Sequence, residues 1–315
     1  SGMGSSGKRG RIYVHGEGRA GSNEGHYGTA KHAALREKTM SKQTESGYDP
    51  IALATATEKV VVDGNRRKYA NLARPLRFYG GTTSATEVGC NLRCEFCFSD
   101  KPVRKPAKTG RFYSPQEVFD ALTVSARRYG HKLISASASE GTLGREHLFE
   151  LLTLVDQSPY IFVLETNGMT LGADAEFTKQ LSKFKNLHVR VSIKGTNPEQ
   201  YHTLTGARPS SYELPFRALK NLINAGVSVN ACVMASFSTD EDIKSFRDRL
   251  SALWPGLLLS LEIEFITLFP KVAQRLKRKS LTPLRIRRGR QVLAHRSLRK
   301  REVRTPKEAK SWALI

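Results

Sequence analysis

Cysteine is scarce in this chain, with four in 315 residues. Three of the four fall within eight positions, too close together for a disulfide framework. That clustering points instead to metal binding in a reducing compartment. No run of 18 or more apolar residues occurs, so no transmembrane helix is expected and no membrane partner. The first seven residues, Ser1 to Gly7, lack the apolar core of a signal segment, and a cytoplasmic location is the expectation. Acidic residues are also few: 29 Asp and Glu face 51 Lys and Arg, a net charge of +22.

The excess charge sits at the ends. Residues 271–315 hold 16 Lys and Arg against Glu302 and Glu308, and residues 1–45 hold eight against four acids. The middle therefore keeps only +4. The chain divides into a flexible N-terminal extension (1–45), a helical lead-in (46–74), a core (75–270) and a basic C-terminal extension (271–315). A short helix near Lys31–Met40 would be the exception in the first segment. Gly16-Glu17-Gly18-Arg19-Ala20-Gly21 fits the glycine spacing of a dinucleotide loop, but the residues after it are poor helix formers, so a flexible loop is expected.

From about residue 50, strand and helix patterns alternate. Strands are expected at Thr82–Val88, Lys132–Ala138, Ile161–Glu165, Leu187–Ile193, Val227–Met234 and Leu258–Ile266. Helices are expected at Ser114–Arg128 with Ser114 as N-cap, and at Arg145–Val155, Ala173–Phe184, Glu213–Ala225 and Thr239–Leu253. Six such repeats without hairpin signals give an all-parallel sheet. Their combined length suits an α/β fold of the partial (β/α)6, TIM-like barrel type. After Pro270 the pattern degrades.

Cys90-Asn91-Leu92-Arg93-Cys94-Glu95-Phe96-Cys97 has the spacing CxxxCxxC. It follows the first barrel strand, in the loop at its C-terminal end, where barrels place their chemistry. Thiolates this close can turn onto one iron–sulfur cluster, and three of them leave one iron of a 4Fe–4S cluster without a protein ligand. A structural zinc site would need a fourth ligand nearby. Cys232 lies inside the fifth strand and reads as a small core residue. Zinc and unrelated buried thiols are the alternatives.

The cysteine spacing, with Phe96 before the last cysteine, resembles the radical S-adenosylmethionine (SAM) superfamily, over roughly residues 75–270. The resemblance implies that Cys90, Cys94 and Cys97 hold a 4Fe–4S cluster whose free iron chelates SAM. One-electron reduction then gives methionine and a 5′-deoxyadenosyl radical. Phe96 would lie near the adenine. Ser137-Ala138-Ser139-Glu140-Gly141 stands where the family has a Gly-Gly-Glu motif, so Ser139 and Glu140 would meet the SAM amino group. Leu164-Glu165-Thr166-Asn167-Gly168 is similar to the Thr-Asn-Gly signature of activating enzymes, placing Glu165 and Asn167 at the barrel mouth. Ser192 and Lys194 alternate onto one face and would serve the SAM ribose and carboxylate. Tyr201-His202-Thr203-Leu204-Thr205-Gly206 also looks like the glycyl-radical activating branch.

A reductant such as flavodoxin or ferredoxin is implied as partner. No further cysteine cluster follows, so auxiliary clusters are not expected, nor is a cobalamin domain. The open side of a partial barrel suggests a macromolecular substrate: a protein to be activated or modified, or an RNA held by the basic C-terminal segment. Its Lys and Arg could neutralise phosphates, though few aromatics accompany them. A charged solvated face or an acidic protein partner would explain the same residues. A non-catalytic iron–sulfur or nucleic-acid-binding protein is the reading from a different class. Every expected cluster and SAM ligand lies before residue 271, so SAM cleavage should survive loss of 271–315.

Overall fold

The computed structural model describes residues 45–289 and 291–294. The expected flexible extension up to residue 44, its glycine-rich loop and the distal basic residues 295–315 lie outside the described residues. The chain enters through α1 (Pro50–Val61), whose Asp49 N-cap accepts from the Ile51 amide at 2.8 Å. The lead-in expected to be helical then turns into strand. A two-residue Gly64-Asn65 turn, with Gly64 at φ +56°, joins β1 (Val62–Asp63) to β2 (Arg66–Leu76). Gly-Asn between two strands is a hairpin signal, and the pattern reading passed over it.

β2 runs antiparallel to β3 (Thr82–Glu87), so the sheet is not all-parallel. Past the cysteine loop come α2 (Asp100–Arg104), β4 (Arg111–Tyr113), which also pairs antiparallel with β2, and α3 (Pro115–Tyr129). Ser114 caps α3 in a reciprocal capping box with Glu117. The repeats continue as β5 (Leu133–Ser137), α4 (Arg145–Asp156), β6 (Ile161–Thr166), α5 (Met169–Ala173), α6 (Ala175–Gln180) and β7 (Leu187–Ile193). They end with α7 (Pro198–Thr205), α8 (Leu214–Asn224), β8 (Ser228–Met234), α9 (Asp240–Leu253) and β9 (Glu262–Glu264).

The six strands β3, β5, β6, β7, β8 and β9 lie side by side in chain order, each parallel to the next. This is the expected run of the partial barrel. Among the described residues β9 does not pair back to β2 or β4, so the sheet stays open. At its lower rim Tyr79 reaches across to Glu262 Oε2 at 3.4 Å.

Two further expectations need adjustment. The helix expected over Ala173–Phe184 starts two residues later, at Ala175, and closes in a 3-10 turn at Leu181–Lys183; Asp174 caps its start by accepting from the Phe177 amide at 2.8 Å, and a separate short helix precedes it. Gly172 lies against the Leu214 backbone, where an added Cβ would come within 2.0 Å of the carbonyl oxygen. Second, the chain does not lose structure after Pro270. It forms α10 (Pro270–Arg278) and a hairpin of β10 (Arg285–Arg288) and β11 (Gln291–Ala294). Val272, Arg275 and Leu276 are buried. The Leu284 amide donates to Ser236 O at 2.7 Å and the Arg287 amide to Ile266 O at 2.8 Å, fastening the hairpin beyond β8 and β9.

The barrel strands alternate. Ile134, Phe162, Leu164, Val189, Val191 and Val233 join the apolar core under the helices. The opposite face of β6 to β9 carries Glu165, Arg190, Ser192, Lys194, Asn230, Cys232, Glu262 and Glu264. The strand register aligns Glu165 with Arg190 and Asn230, and Ser192 with Cys232 and Glu262. Polar groups do not fill a barrel for packing alone. This lumen is built around polar contacts.

Candidate active site

Gly89, two residues past the end of β3, takes φ +95°, and a Cβ there would sit 2.9 Å from the Thr57 and Val61 side chains. That turn sends Cys90, Cys94 and Cys97 into a loop over the C-terminal ends of the strands. All three thiols are unpaired; Cys94 is buried and the other two are half-buried. Burial pushes each of them up, Cys94 to about 12, and Cys97 also raises the other two by its charge. Two donors point at Cys90 Sγ, the Leu92 amide at 3.4 Å and Asn167 Nδ2 at 3.8 Å. Such donors favour a thiolate. Three thiols this close on one loop can anchor a cluster, whose irons each take one thiolate.

The strand ends meet the loop through buried side chains. Glu140 is buried, and its Oε1 accepts from Thr166 Oγ1 at 2.5 Å and Thr142 Oγ1 at 2.7 Å. Its Oε2 accepts from the Asn167 amide at 2.8 Å. The carboxylate therefore braces the β5 and β6 ends against each other. Asn167 Nδ2 donates to Asn91 Oδ1 at 2.7 Å, which carries the brace into the cysteine loop. Ser139 Oγ donates to Glu87 O at 2.9 Å. Ala138, where the family motif has glycine, adopts φ +71°. The backbone thus keeps a glycine-like bend despite its Cβ.

Lys194 Nζ donates to Ser192 Oγ at 2.5 Å. Burial would lower this lysine, but Cys94, Glu264 and Cys232 together hold its ammonium above the usual range. Glu165 faces the same lumen; burial raises it and Arg190 opposes the shift. Phe96 is buried, with its ring 6.4 Å from that of Phe237. Cys232 is fully buried, as expected of a small core residue, with its sulfur on the polar side of the strand. Arg190 Nη2 lies 2.9 Å from its sulfur and also pairs with Glu262 at 2.8 Å and Glu264 at 2.7 Å. The structure thus brings nine of the expected site residues around the loop and the lumen mouth, with Phe96 packed beside them.

Sequence reasoning missed the groups that hold this arrangement. Arg67, 1% exposed, lies on the antiparallel β2 that pattern reading overlooked. Its guanidinium donates to Glu140 O at 2.6 Å and Leu143 O at 2.5 Å and pairs with Glu87 at 3.0 Å. Tyr48 OH accepts from the Arg93 amide at 2.8 Å and donates to Thr205 O at 3.0 Å, and the Glu95 amide donates to Leu204 O at 2.9 Å. These bonds tie the loop to the Tyr201–Gly206 segment. Arg275 comes from the segment read as a basic tail. It is 4% exposed and donates to Cys97 O and, at 3.0 Å, to Glu95 O. Loss of 271–315 would therefore remove hydrogen bonds to the cysteine loop that ligand positions alone do not reveal.

Residues 86–250 match the family described as the Radical SAM superfamily. The chain is 26% identical over 183 residues to a probable GTP 3′,8-cyclase of Pyrobaculum aerophilum, covering 58% of this chain and 55% of that protein. It is 24% identical over 237 residues to a probable GTP 3′,8-cyclase of Methanosarcina acetivorans, covering 74% and 66%. The chain thus spans between about half and two thirds of the length of these curated relatives. Among solved structures, Streptococcus suis SuiB bound to S-adenosylmethionine matches with a TM-score of 0.45 at 16% identity, over 61% of this chain and 44% of that one.

Proposed function

The chain belongs to the radical SAM superfamily, and we propose that it cleaves SAM reductively to abstract hydrogen from a polar substrate that reaches the barrel lumen. The observation that carries this reading is the convergence of Cys90, Cys94 and Cys97 with Asn167 and Lys194 at the strand ends. The bound cluster would supply the electron that breaks the SAM sulfur–carbon bond. Cys90, Cys94 and Cys97 would anchor it. Lys194 would meet the SAM carboxylate, Ser139 and the bent Ala138 backbone its amino group, and Phe96 its adenine. Glu140 would act through Asn167, as a brace. A flavodoxin- or ferredoxin-type donor would supply electrons.

The lumen supports a choice of substrate. Glu165, Glu262 and Glu264 face Arg190 and Lys194, and Arg190 is spent on two of the acids. With Lys194 committed to SAM, the lumen faces of β6 to β9 offer, among the described residues, no further unpaired Lys or Arg to a triphosphate. A residue or base of a macromolecule, inserted through the open side, suits this surface better. A protein substrate is the first reading and an RNA the second. A purine nucleotide, which the relatives' names suggest, is disfavoured by the same charges.

Anaerobic reconstitution tests the proposal. About four irons and four sulfides per chain are expected. Cys90→Ala, Cys94→Ala or Cys97→Ala should abolish this, and Cys232→Ala should not. With dithionite the protein should release 5′-deoxyadenosine. Lys194→Ala should weaken SAM binding while the cluster absorbance persists. Stoichiometric zinc without iron would end the proposal.

A further inference from the structure

Each of the three loop cysteines has its main-chain carbonyl held by a different arginine. Arg93 Nη1 donates to Cys90 O at 2.5 Å, Arg104 Nη2 to Cys94 O at 2.9 Å, and Arg275 Nη2 to Cys97 O. The three come from unrelated places: the loop itself, the end of α2, and α10. We propose that these arginines form a cationic clamp that sets the geometry of the cysteine loop and makes its cluster easier to reduce. The inference rests on the reading of the three cysteines as cluster anchors.

The physical case has two parts. A guanidinium is planar, permanently charged and donates in a fixed fork, so it fixes a carbonyl in direction as well as distance. Arg275 uses the fork fully, on Glu95 O at 3.0 Å, on Cys97 O, and on Asp100 at 3.1 Å. One side chain thereby spans the last turn of the loop. At 4% exposure its charge is screened less than that of a surface arginine.

The second part is electrostatic. Reduction adds one negative charge to a group already carrying three thiolates, and nearby cations favour the more negative state. The charges around the loop must be counted together. Arg93, Arg104, Arg275 and Lys194 stand against Glu95, Asp100 and Glu140. Glu95 lies 3.5 Å from Arg104, and Asp100 is shared between Arg275 and Lys271. Glu95, Asp100 and, beside Lys194, Glu264 offset part of the effect; what remains is the charge of Arg104 and Arg275 held directly against the carbonyls of Cys94 and Cys97. Arg275 makes the C-terminal segment part of the cluster site, and this gives that segment a role that does not depend on any nucleic acid.

The test is a redox titration of the reconstituted protein without SAM, followed by electron paramagnetic resonance of the reduced cluster. Wild-type iron and sulfide content comes first: its absence would sink the anchor reading and the clamp with it, whereas a loaded wild type leaves only the clamp to be tested by the variants. In Arg275→Gln, the reduced-to-oxidised ratio at fixed potential should fall about tenfold, a shift of ~59 mV to more negative values for one electron. Arg275→Lys keeps the charge and should restore most of the potential while losing part of the iron on gel filtration. Circular dichroism of the metal-free proteins checks folding. If metal-free Arg275→Gln is unfolded, Arg104→Gln carries the test, with a shift in the same direction. A loaded neutral variant, of Arg275 or of Arg104, with the wild-type potential overturns the clamp. Folded Arg275→Gln that retains no iron, beside Arg275→Lys that does, supports it.

Discussion

The main-chain amide of Asn167 donates to Glu140 Oε2 at 2.8 Å, and the Asn167 side chain donates onward to Asn91 at 2.7 Å. Two strand ends and the cysteine loop are thus one hydrogen-bonded unit with a buried carboxylate at its centre. Glu140→Gln keeps the size but turns part of the acceptor into a donor facing the Thr166 hydroxyl or the Asn167 amide. A loss of about 1–3 kcal/mol in unfolding free energy of the metal-free protein is expected, read by urea titration. SAM affinity should fall too, because Asn167 loses its support. Unchanged stability would mean that the brace carries no load.

His147 gives a pH dependence. Its Nε2 lies 2.9 Å from Tyr69 OH and its Nδ1 2.8 Å from Asn65 O. Burial lowers it to about 4, and the Arg67 charge adds to the shift. The unfolded chain therefore binds more protons between about pH 4 and 6.5, so stability rises with pH through that window and is level above it. The contribution is up to about 3 kcal/mol. His147→Gln should remove it, flattening the difference in urea midpoint between the two pH values. A variant that keeps the full wild-type slope would show that other groups carry it.

Ala138 sits at φ +71°, a region that costs a residue with a Cβ roughly 1–2 kcal/mol. Ala138→Gly relieves that strain but adds freedom to the unfolded chain. The net expectation is a metal-free protein about 1 kcal/mol more stable, measured by urea unfolding. A less stable variant would show that the methyl group packs usefully in the site.

How far the sequence could be read is visible in particular residues. Val189, Val191 and Ile193 alternate with Arg190, Ser192 and Lys194, and this pattern alone located β7 and its polar face. The cysteine spacing located the loop. Arg67 and Arg275 were illegible because their roles depend on partners 73 and 178 positions away. An arginine among charges reads as surface until a tertiary contact buries it. Cys232 is buried as its strand pattern suggests, but its neighbours across the register, Ser192 and Glu262, are set by strand pairing that the sequence does not show. The β1–β2 hairpin was missed because the helical pattern before it masked a two-residue turn.

The C-terminal segment can now be divided by role. Removing residues 295–315 takes away seven Lys and Arg and two Glu but leaves α10 and Arg275 in place. Removing 270–315 takes Arg275 as well. If the segment binds RNA, the full chain should bind a tRNA-sized RNA with an affinity that falls steeply with salt, by about 0.7 in log–log slope per phosphate contacted on single strands. The shorter truncation should lose much of that slope and keep its iron, since the clamp survives. The longer one should lose both. No salt-dependent binding by the full chain at low ionic strength would remove the RNA reading. Binding alone does not make RNA the substrate, because a dense cationic tail attracts any polyanion. The deciding result is a covalent change in the RNA that requires SAM, a reductant and Cys94 together. Its absence, beside SAM cleavage stimulated by a protein fraction, would favour the protein substrate.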